Sequence, residues 1–241
     1  MNSPLTTEQS GQSGGARLAC QVWTASAGAA RSAHLALLDE VELERRARYR
    51  RDEDRDRFTV AAALLRLVVA GETGLDPAAV RVDRTCPGCA AQHGKPQIAG
   101  GAVHVSVSHS GDAVVLAVTR AAPIGVDVEV VGDRDVTGLA RTVLGAAEPM
   151  RRDADFYTYW CRKEAIVKAT GDGLRVPLIE VVVSAADEPA RLVAYRGAPL
   201  AATLRDLSID GGYAASVAIL AEGELDVEMQ DASGILTTLD R

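Results

Sequence analysis

The stretch around which this chain is organised is WCRKEAIVKATG, at residues 160–171. Its charge pattern and closing glycine predict a helix that ends at Gly171. The stretch holds Lys163 and Lys168, two of only three lysines in a chain whose other basic residues are arginines. On a helix Glu164 and Lys168 share one face, while Lys163 points about 100° away from Glu164. Two interpretations follow: a solvated Glu164–Lys168 ion pair, or a site that needs an ammonium group.

Composition places the chain among ordinary globular proteins. Its 241 residues are 47% hydrophobic and 24% charged, which is enough for a buried core. The net charge of -7 argues against non-specific nucleic-acid binding. Neither an apolar run of membrane-spanning length nor a secretory signal is visible, so we expect a cytoplasmic protein without membrane contact.

The N-terminal third combines a polar leader, a strand and two helical patterns. Residues 1–15 are small and polar, which predicts a disordered leader. Residues 17–23 alternate in polarity and predict a strand. Residues 35–57 have a helical pattern with charges of mixed sign, typical of a solvated face. Residues 58–71 predict a buried helix closed by its final glycine, with Arg57 at its entrance.

A loop dense in turn-forming residues is predicted after this helix, over residues 83–101. It contains Cys86, Cys89 and His93, followed by Lys95 between a glycine and a proline. The first three residues are suitable zinc ligands, but a closed structural zinc site needs four. A redox dithiol and a tight turn with free thiols are the alternatives. The four cysteines of the chain are too few for a disulfide scaffold.

Residues 103–119 predict a β-hairpin. Two alternating runs flank the sequence Ser108-His109-Ser110, which lies at the turn. Hydroxyl, imidazole and backbone amide groups at a strand end suit contacts with phosphate or ribose. A Ser/His hydrolase is the rival interpretation. It is weakened because neighbours on a strand point to opposite faces, which separates each serine from His109.

Two carboxylates lie on the next predicted strand, at residues 124–131. Its alternation places Asp127 and Glu129 together on one face and the intervening valines on the other. Neighbouring carboxylates repel each other, and a divalent cation relieves that repulsion. Oxygen ligands favour Mg²⁺, Ca²⁺ or Mn²⁺. The alternative is an exposed edge face that carries two acids.

The remainder of the chain mixes helices and strands. We expect one or two short helices over residues 139–152, antiparallel strands over residues 179–220 and a flexible acidic tail over residues 223–241. The sequence therefore indicates an α+β fold built from two subdomains of about a hundred residues each, at 16–120 and 121–222.

Four motifs occur together: Gly-Lys-Pro at 94–96, Ser-His-Ser at 108–110, Gly-Val-Asp-Val-Glu at 125–129 and the helix at 160–171. Their order and spacing resemble the 4′-phosphopantetheinyl transferase superfamily, and within it the single-chain type that activates polyketide synthase and nonribosomal peptide synthetase carrier proteins. The likeness covers nearly all of residues 17–222, and the joint match is highly specific. It implies two similar α/β subdomains in a pseudo-twofold arrangement, and a monomer.

The resemblance also implies a role for each matching residue. Asp127, Glu129 and Glu164 match the ligands of Mg²⁺, which Mn²⁺ could replace. Lys163 and Lys168 match lysines near the phosphates. The adenosine 3′,5′-bisphosphate half of coenzyme A is held at positions matched by Arg57, Lys95, Pro96, Ser108 and His109.

The implied reaction modifies a carrier protein. A serine hydroxyl of an apo acyl or peptidyl carrier protein attacks the β-phosphate of coenzyme A, and adenosine 3′,5′-bisphosphate leaves. Asp127, Glu164 and Lys168 are the implied catalytic residues, and Glu148 matches a further acid of the site. Glu164 either takes the serine proton or binds the metal while a water accepts the proton. The runner-up function is a coenzyme-A-binding module without catalysis.

Overall fold

The computed structural model describes residues 16–133 and 135–238, with Leu174 described by its backbone alone. The predicted disordered leader, residues 1–15, lies outside these residues. Within the described ranges, every helix is too short or too polar to span a bilayer.

The secondary structure follows the predicted order of helices and strands, except in one predicted loop and in the predicted tail. The strands of the described residues are β1 (Arg17–Ser26), β2 (Val82–Thr85), β3 (Gln92–Ile98), β4 (His104–Ser110), β5 (Ala113–Thr119), β6 (Ile124–Val130), β7 (Val181–Val183), β8 (Leu192–Tyr195), β9 (Thr203–Asp206), β10 (Tyr213–Ile219) and β11 (Glu224–Asp231). The helices are α1 (Glu40–Ala47), α2 (Asp52–Thr73), α3 (Thr137–Val143), α4 (Asp153–Thr170) and α5 (Ser233–Leu236). Strand β3 lies in the predicted loop, and β11 and α5 lie in the predicted tail.

The main elements stack in four layers, in the order helix, sheet, sheet, helix. The first sheet has the strand order β11-β1-β5-β4-β3-β2, and the second has the order β6-β10-β9. Along β5, Val114 and Leu116 pack in the core formed with α2, whereas Val115 and Ala117 pack against the second sheet. Helix α4 covers the other face of the second sheet. The α+β class is confirmed, and the pseudo-twofold relation stays a prediction.

Helix α2 is longer than its sequence pattern predicts. It begins at Asp52, passes through Gly71 and ends at Gly74, whose φ of 73° is a left-handed conformation that suits glycine. Arg57 therefore lies inside the helix and not at its entrance. The predicted boundary at residue 58 marks only the point where the helix becomes buried.

Strand β11 corrects the prediction of a flexible tail over residues 223–241. It pairs in parallel with β1 at the edge of the first sheet. Helix α5 follows, with Leu236 buried in the α2 core and its carbonyl oxygen 2.9 Å from His34 Nε2. The sequence pattern did not predict this strand, because Leu225 is its only buried residue and the alternation typical of a strand is therefore missing.

Gly125 allows β6 and α4 to touch. A Cβ atom at this position would lie 1.9 Å from the Ala165 carbonyl oxygen and 2.5 Å from the Ala169 backbone nitrogen. Both are main-chain atoms of α4, so a side chain here must push the helix away from the strand. We expect Gly125→Ala to lower the free energy of unfolding by about 3 kcal/mol, measured by urea denaturation.

The matched control for this substitution is Gly71→Ala. Gly71 lies inside α2, and a Cβ atom there would have no heavy atom within 4 Å. Because alanine favours the helix more than glycine does, this variant should be up to about 1 kcal/mol more stable. Equal stability of the two variants would contradict the close contact between β6 and α4.

Candidate functional site

The carboxylate face of β6 meets helix α4 beside the serine face of β4. A cavity of about 360 Å³ opens at this junction, and we call it the acidic pocket. Six residues predicted for the site line it: Ser108, His109, Asp127, Glu129, Glu164 and Lys168. Alternation places Asp127 and Glu129 on one face of β6, and one helical turn separates Glu164 from Lys168 on α4. The packing of β4, β6 and α4 against one another then brings these side chains together.

Asp127 forms the centre of a buried hydrogen-bond network. Its Oδ1 atom accepts hydrogen bonds from Ser108 Oγ at 2.7 Å and from Lys168 Nζ at 2.6 Å. Lys168 Nζ also donates to Ser108 Oγ at 2.8 Å. The ion pair of Lys168 is therefore with Asp127 on β6, which replaces the solvated pair with Glu164 considered from the sequence.

The second oxygen of Asp127 has an unusual environment. Asp127 Oδ2 is buried and finds no hydrogen-bond partner among the described residues. A buried carboxylate oxygen without a donor is costly, and a cation is one partner that would satisfy it. The buried thiol of Cys161 also lies beside this carboxylate, and the pKa of the thiol is raised first by burial and then by the charge of Asp127. Within the described residues, the unpartnered oxygen indicates that the pocket suits a positively charged ligand.

The other two carboxylates differ in their surroundings. Glu129 Oε2 accepts a hydrogen bond from Ser110 Oγ at 2.7 Å, which repeats the Ser108–Asp127 contact two residues further along both strands. Burial raises the pKa of Glu164, the negative charge of Asp127 raises it further, and Lys168 partly offsets both effects. Glu164 thus lies in a site where added positive charge would be favourable.

The three carboxylates line one cavity without converging on one point. Among the described residues, the ligand atoms of a three-residue group come within 4.8 Å of one another only at Cys86, Cys89 and His93. Mg²⁺ does not require such a cage, because it is usually bound by one or two carboxylates, several waters and substrate phosphates. The oxygen ligands and the unpaired Asp127 Oδ2 fit Mg²⁺ or Mn²⁺.

His109 points away from the serines of its strand, as the alternation predicts. The pKa of His109 is lowered, first by partial desolvation of its ring and then by the positive charges of Arg57, Lys168 and Arg45. Arg57 Nε donates to the Gly111 carbonyl oxygen at 2.9 Å, which holds its guanidinium at the end of β4. Because the Ser108 hydroxyl is engaged by Asp127 and Lys168, the hydrolase interpretation is disfavoured.

A second cavity of about 640 Å³ adjoins the acidic pocket, and we call it the lysine pocket. Lys95 and Pro96 line it, and they lie on β3 in a region predicted to be a loop. Lys95 Nζ donates to the Ala169 carbonyl oxygen at 2.7 Å, in the last turn of α4. Burial lowers the pKa of Lys95 to about 8. Glu164 and Lys168 line both cavities, which therefore form one continuous cleft.

Comparison with known proteins shows which family this chain is similar to. A family model described as the 4′-phosphopantetheinyl transferase superfamily matches residues 123–218, which include β6 and α4. The 4′-phosphopantetheinyl transferase HetI of Nostoc sp. is 31% identical over 202 residues, which cover 78% of this chain and 81% of HetI. A 4′-phosphopantetheinyl transferase of Bacillus subtilis is 31% identical over 163 residues, which cover 63% of this chain and 70% of that protein.

The chain belongs to the 4′-phosphopantetheinyl transferase superfamily. Members of this superfamily transfer the phosphopantetheine group of coenzyme A to carrier proteins, and the chain is a transferase of this kind. The two cavities are accordingly the place where this phosphopantetheinyl transferase has its candidate active site.

Lys163 is absent from the cleft of this transferase, contrary to the sequence-based prediction. Its ammonium is fully buried and bonds Glu148 Oε2 at 2.5 Å, the Val143 carbonyl oxygen at 2.7 Å and the Leu178 carbonyl oxygen at 3.1 Å. The turn of about 100° from Glu164 carries this lysine to a different side of α4. Lys163 joins the helix to the segments on either side of it.

Glu148 is likewise removed from the cleft, although the resemblance implied a further acid of the site. Besides Lys163, its carboxylate accepts hydrogen bonds from the Gly145 and Val183 backbone nitrogens, at 2.7 Å and 2.9 Å. The contacts with Lys163 and Val183 are buried, and the contact with Gly145 is partly buried. Glu148 and Lys163 therefore form a structural ion pair.

Two arginines of the transferase cleft were missed by sequence reasoning. Arg45 and Arg84 line both the acidic pocket and the lysine pocket. Burial lowers the pKa of Arg84, and its Nε atom is buried without a hydrogen-bond partner among the described residues. Arg45 belongs to a charge run interpreted as a solvated face. Tyr49 and Trp160 also line the acidic pocket. The cleft thus contains aromatic side chains, although only 4% of the residues of the chain are aromatic.

Proposed function

We propose that this transferase moves the 4′-phosphopantetheine group of coenzyme A to a serine hydroxyl of an apo acyl or peptidyl carrier protein, that it requires Mg²⁺, and that it releases adenosine 3′,5′-bisphosphate. The observation that carries the proposal is the acidic pocket, where Asp127 presents a buried, unpartnered oxygen beside Lys168 and two further carboxylates. The pyrophosphate of coenzyme A needs positive charge around it. Lys168 would supply one such charge, and a cation held by the carboxylates would supply the other.

Asp127, Glu129 and Glu164 are the residues that we propose as metal ligands. Bound Mg²⁺ would neutralise charge on the pyrophosphate and polarise the phosphorus under attack. The two serine–carboxylate hydrogen bonds hold Asp127 and Glu129 in place on β6. Ser108 and Ser110 thereby limit the rotamers of the two acids before any substrate binds.

Lys168 contributes a compact positive charge at the phosphates. Its side chain is 29% exposed and reaches the pocket from the last turn of α4. The ammonium can pass from Asp127 Oδ1 to a phosphoryl oxygen without leaving the pocket, because both partners are anionic acceptors. Charge developing on those oxygens in the transition state would be stabilised by this group.

The adenosine bisphosphate half is proposed to lie toward the lysine pocket. Lys95 and Pro96 line that cavity, while His109 lines the adjoining acidic pocket and feels the positive charge of Arg57. Arg84 adds a guanidinium whose Nε atom is buried and, among the described residues, has no hydrogen-bond partner. A polyanion of the length of coenzyme A would thus meet a cation in each part of the cleft.

Proton removal from the carrier serine has two candidates. Glu164 has a raised pKa, which makes it a better base than an ordinary carboxylate. A carboxylate bound to a cation is a weak base, however, so the ligand role and the base role of Glu164 compete. We propose the ligand role for Glu164 and a water as the proton acceptor.

The wider setting of the reaction is also part of the proposal. Residues from both sheets and from α4 line the cleft, so one chain supplies the proposed site, and we propose a monomer. We also propose the cytoplasm as its location, where cysteines that form no disulfide, like the four of this chain, stay reduced. Carrier proteins of polyketide synthases and nonribosomal peptide synthetases are the proposed partners.

Mass spectrometry of a carrier protein tests this function. The chain is incubated with apo carrier protein, coenzyme A and Mg²⁺, and we expect the carrier to gain the mass of the phosphopantetheine arm. Adenosine 3′,5′-bisphosphate should appear in equal amount, and chelation of the metal should stop both products until Mg²⁺ or Mn²⁺ is restored. The control is the same carrier with its acceptor serine replaced by alanine.

Several outcomes of that assay would contradict the proposal. Coenzyme A binding without mass gain on carriers of either class would favour a binding module. Full activity under chelation would show that the reaction does not need the metal. A mass gain without adenosine 3′,5′-bisphosphate would mean that a different bond of coenzyme A is broken.

The pKa of Lys95 predicts how substrate binding depends on pH. Lys95 has a pKa of about 8, so its ammonium is charged below that pH and neutral above it. If the charged form binds phosphate, the KM for coenzyme A should rise about tenfold between pH ~7 and pH ~9. Lys95→Arg keeps its charge throughout this range and should flatten that rise. A KM that rises equally in both proteins would show that another group is titrating.

A further inference from the structure

The hairpin turn between β2 and β3 gathers two cysteines and a histidine. Cys86, Cys89 and His93 each offer one ligand atom, and all three atoms lie within 4.8 Å of one another. Cys89 Sγ and His93 Nε2 are 3.0 Å apart. The proposed transfer reaction uses none of these side chains.

The backbone of this turn is arranged around the sulfur of Cys86. The backbone N–H groups of Gly88 and Cys89 lie close to that sulfur and lower the pKa of the Cys86 thiol. The Ala90 nitrogen donates to the Cys86 carbonyl oxygen at 2.8 Å, and the Cys86 nitrogen donates to the Ala91 carbonyl oxygen at 2.8 Å. Ala90 adopts a left-handed φ of 60°, which is unfavourable for alanine and is retained only where the surroundings require it.

We propose that Cys86, Cys89 and His93 bind one Zn²⁺ ion. Two sulfur ligands and one imidazole form a soft to borderline set that favours zinc over the hard cations suited to the acidic pocket. Bond lengths of ~2.3 Å to sulfur and ~2.0 Å to nitrogen place ligand atoms about 3.5 Å apart in a tetrahedron. Cys89 Sγ and His93 Nε2 are 3.0 Å apart and the other two ligand-atom distances are at most 4.8 Å, which brackets that spacing.

The fourth position of this zinc site is open to solvent. Within the described part of the chain, the group of ligand atoms has three members, and Cys89 and His93 are exposed. A water would complete the tetrahedron. We therefore expect the metal to be removable by a chelator more readily than from a site with four protein ligands.

The site would have a structural consequence for the lysine pocket. Cys86 and His93 line that cavity with Lys95 and Pro96, because the turn lies directly between β2 and the lysine. Zinc would link the end of β2 to the start of β3. The free energy of metal binding would then stabilise the hairpin end that presents Lys95.

Metal analysis of the untagged chain, purified under reducing conditions, tests the proposal. We expect one zinc per chain in the wild-type protein and less than about a tenth of that in Cys89→Ser and His93→Gln. The matched controls are Cys20→Ala and His104→Gln, which lie outside the turn and should keep full zinc content. After chelation, Co²⁺ added to the wild-type chain should give thiolate charge-transfer bands and the visible bands of a tetrahedral ion.

A further measurement does not depend on variants that fold poorly. Amide hydrogen exchange over residues 85–95 should slow when Zn²⁺ is returned to the chelated wild-type chain, while exchange in α2 stays unchanged. The proposal is overturned by zinc content that is equal in Cys89→Ser and wild type, by four free thiols without zinc or the cobalt bands, or by a Cys86–Cys89 disulfide in the metal-free protein under the same reducing conditions. None of these readouts requires transfer activity, so the zinc site and the proposed function can fail separately.

Discussion

Asp127→Asn is expected to lower kcat for transfer by about 10³-fold while the fold is retained. Asparagine keeps the shape of the side chain and can still accept from Ser108 and Lys168 at one oxygen. It loses the negative charge, and its amide nitrogen replaces an oxygen that is buried without a partner. An amide nitrogen cannot bind a cation, so the proposed metal site loses its central ligand.

The loss should depend on metal concentration. Initial rates are measured over a wide range of Mg²⁺, and raising Mg²⁺ should recover part of the activity of Asp127→Asn if the defect lies in metal binding. The matched control is Asp155→Asn, another buried carboxylate, which accepts a hydrogen bond from the Arg151 backbone nitrogen at the start of α4. It should cost about 1 kcal/mol in stability and leave kcat unchanged. Near-normal activity of Asp127→Asn would show that Asp127 and Glu129 do not form the proposed metal site.

Replacing the two lysines of α4 in turn is expected to separate catalysis from stability. Lys168→Met should lower kcat by about 10²- to 10³-fold. It should cost less stability than Lys163→Met, because Lys168 is partly exposed whereas Lys163 is fully buried. Lys163→Met should lower the free energy of unfolding by about 3 to 5 kcal/mol, because it leaves the buried carboxylate of Glu148 without its positively charged partner. Its kcat per folded molecule should be near normal.

Each lysine variant is the control for the other. Both are measured for urea denaturation and for steady-state rates on the same carrier protein, with rates corrected for the folded fraction. Lys168→Arg adds a finer test, since a planar guanidinium is larger than the ammonium that contacts Asp127 and Ser108 together, and we expect it to restore little activity. If the rate per folded molecule of Lys163→Met fell as far as that of Lys168→Met, the separation of their roles would be wrong.

The central elements of the site were predictable because each is a local pattern. Alternation identified β4, β5 and β6, and with them the shared face of Asp127 and Glu129. Helical spacing identified α4, its end at Gly171 and the common side of Glu164 and Lys168. These features depend on residues within one strand or one or two helical turns, where a periodicity of 2 or ~3.6 residues is sufficient.

Other features became visible only when distant segments met. Lys163 was predicted near the phosphates because its motif position suggested it, yet the packing of α4 turns it toward Glu148 and two carbonyl groups. Arg84 looked like an ordinary loop residue, and its role in the cleft depends on the β2–β3 hairpin folding over the first turns of α2.

The sequence by itself determined the α+β class, the strands that carry Ser108, Asp127 and Glu129, and the helix that carries Glu164 and Lys168. Only the tertiary structure decided that Lys163 is structural, that β11 completes the first sheet and that Asp127 Oδ2 finds no donor in the part of the chain that the structure describes. The physical reason is that periodicity records which face of an element is buried. Which element covers that face depends on contacts between residues far apart in the chain, and these leave no local pattern.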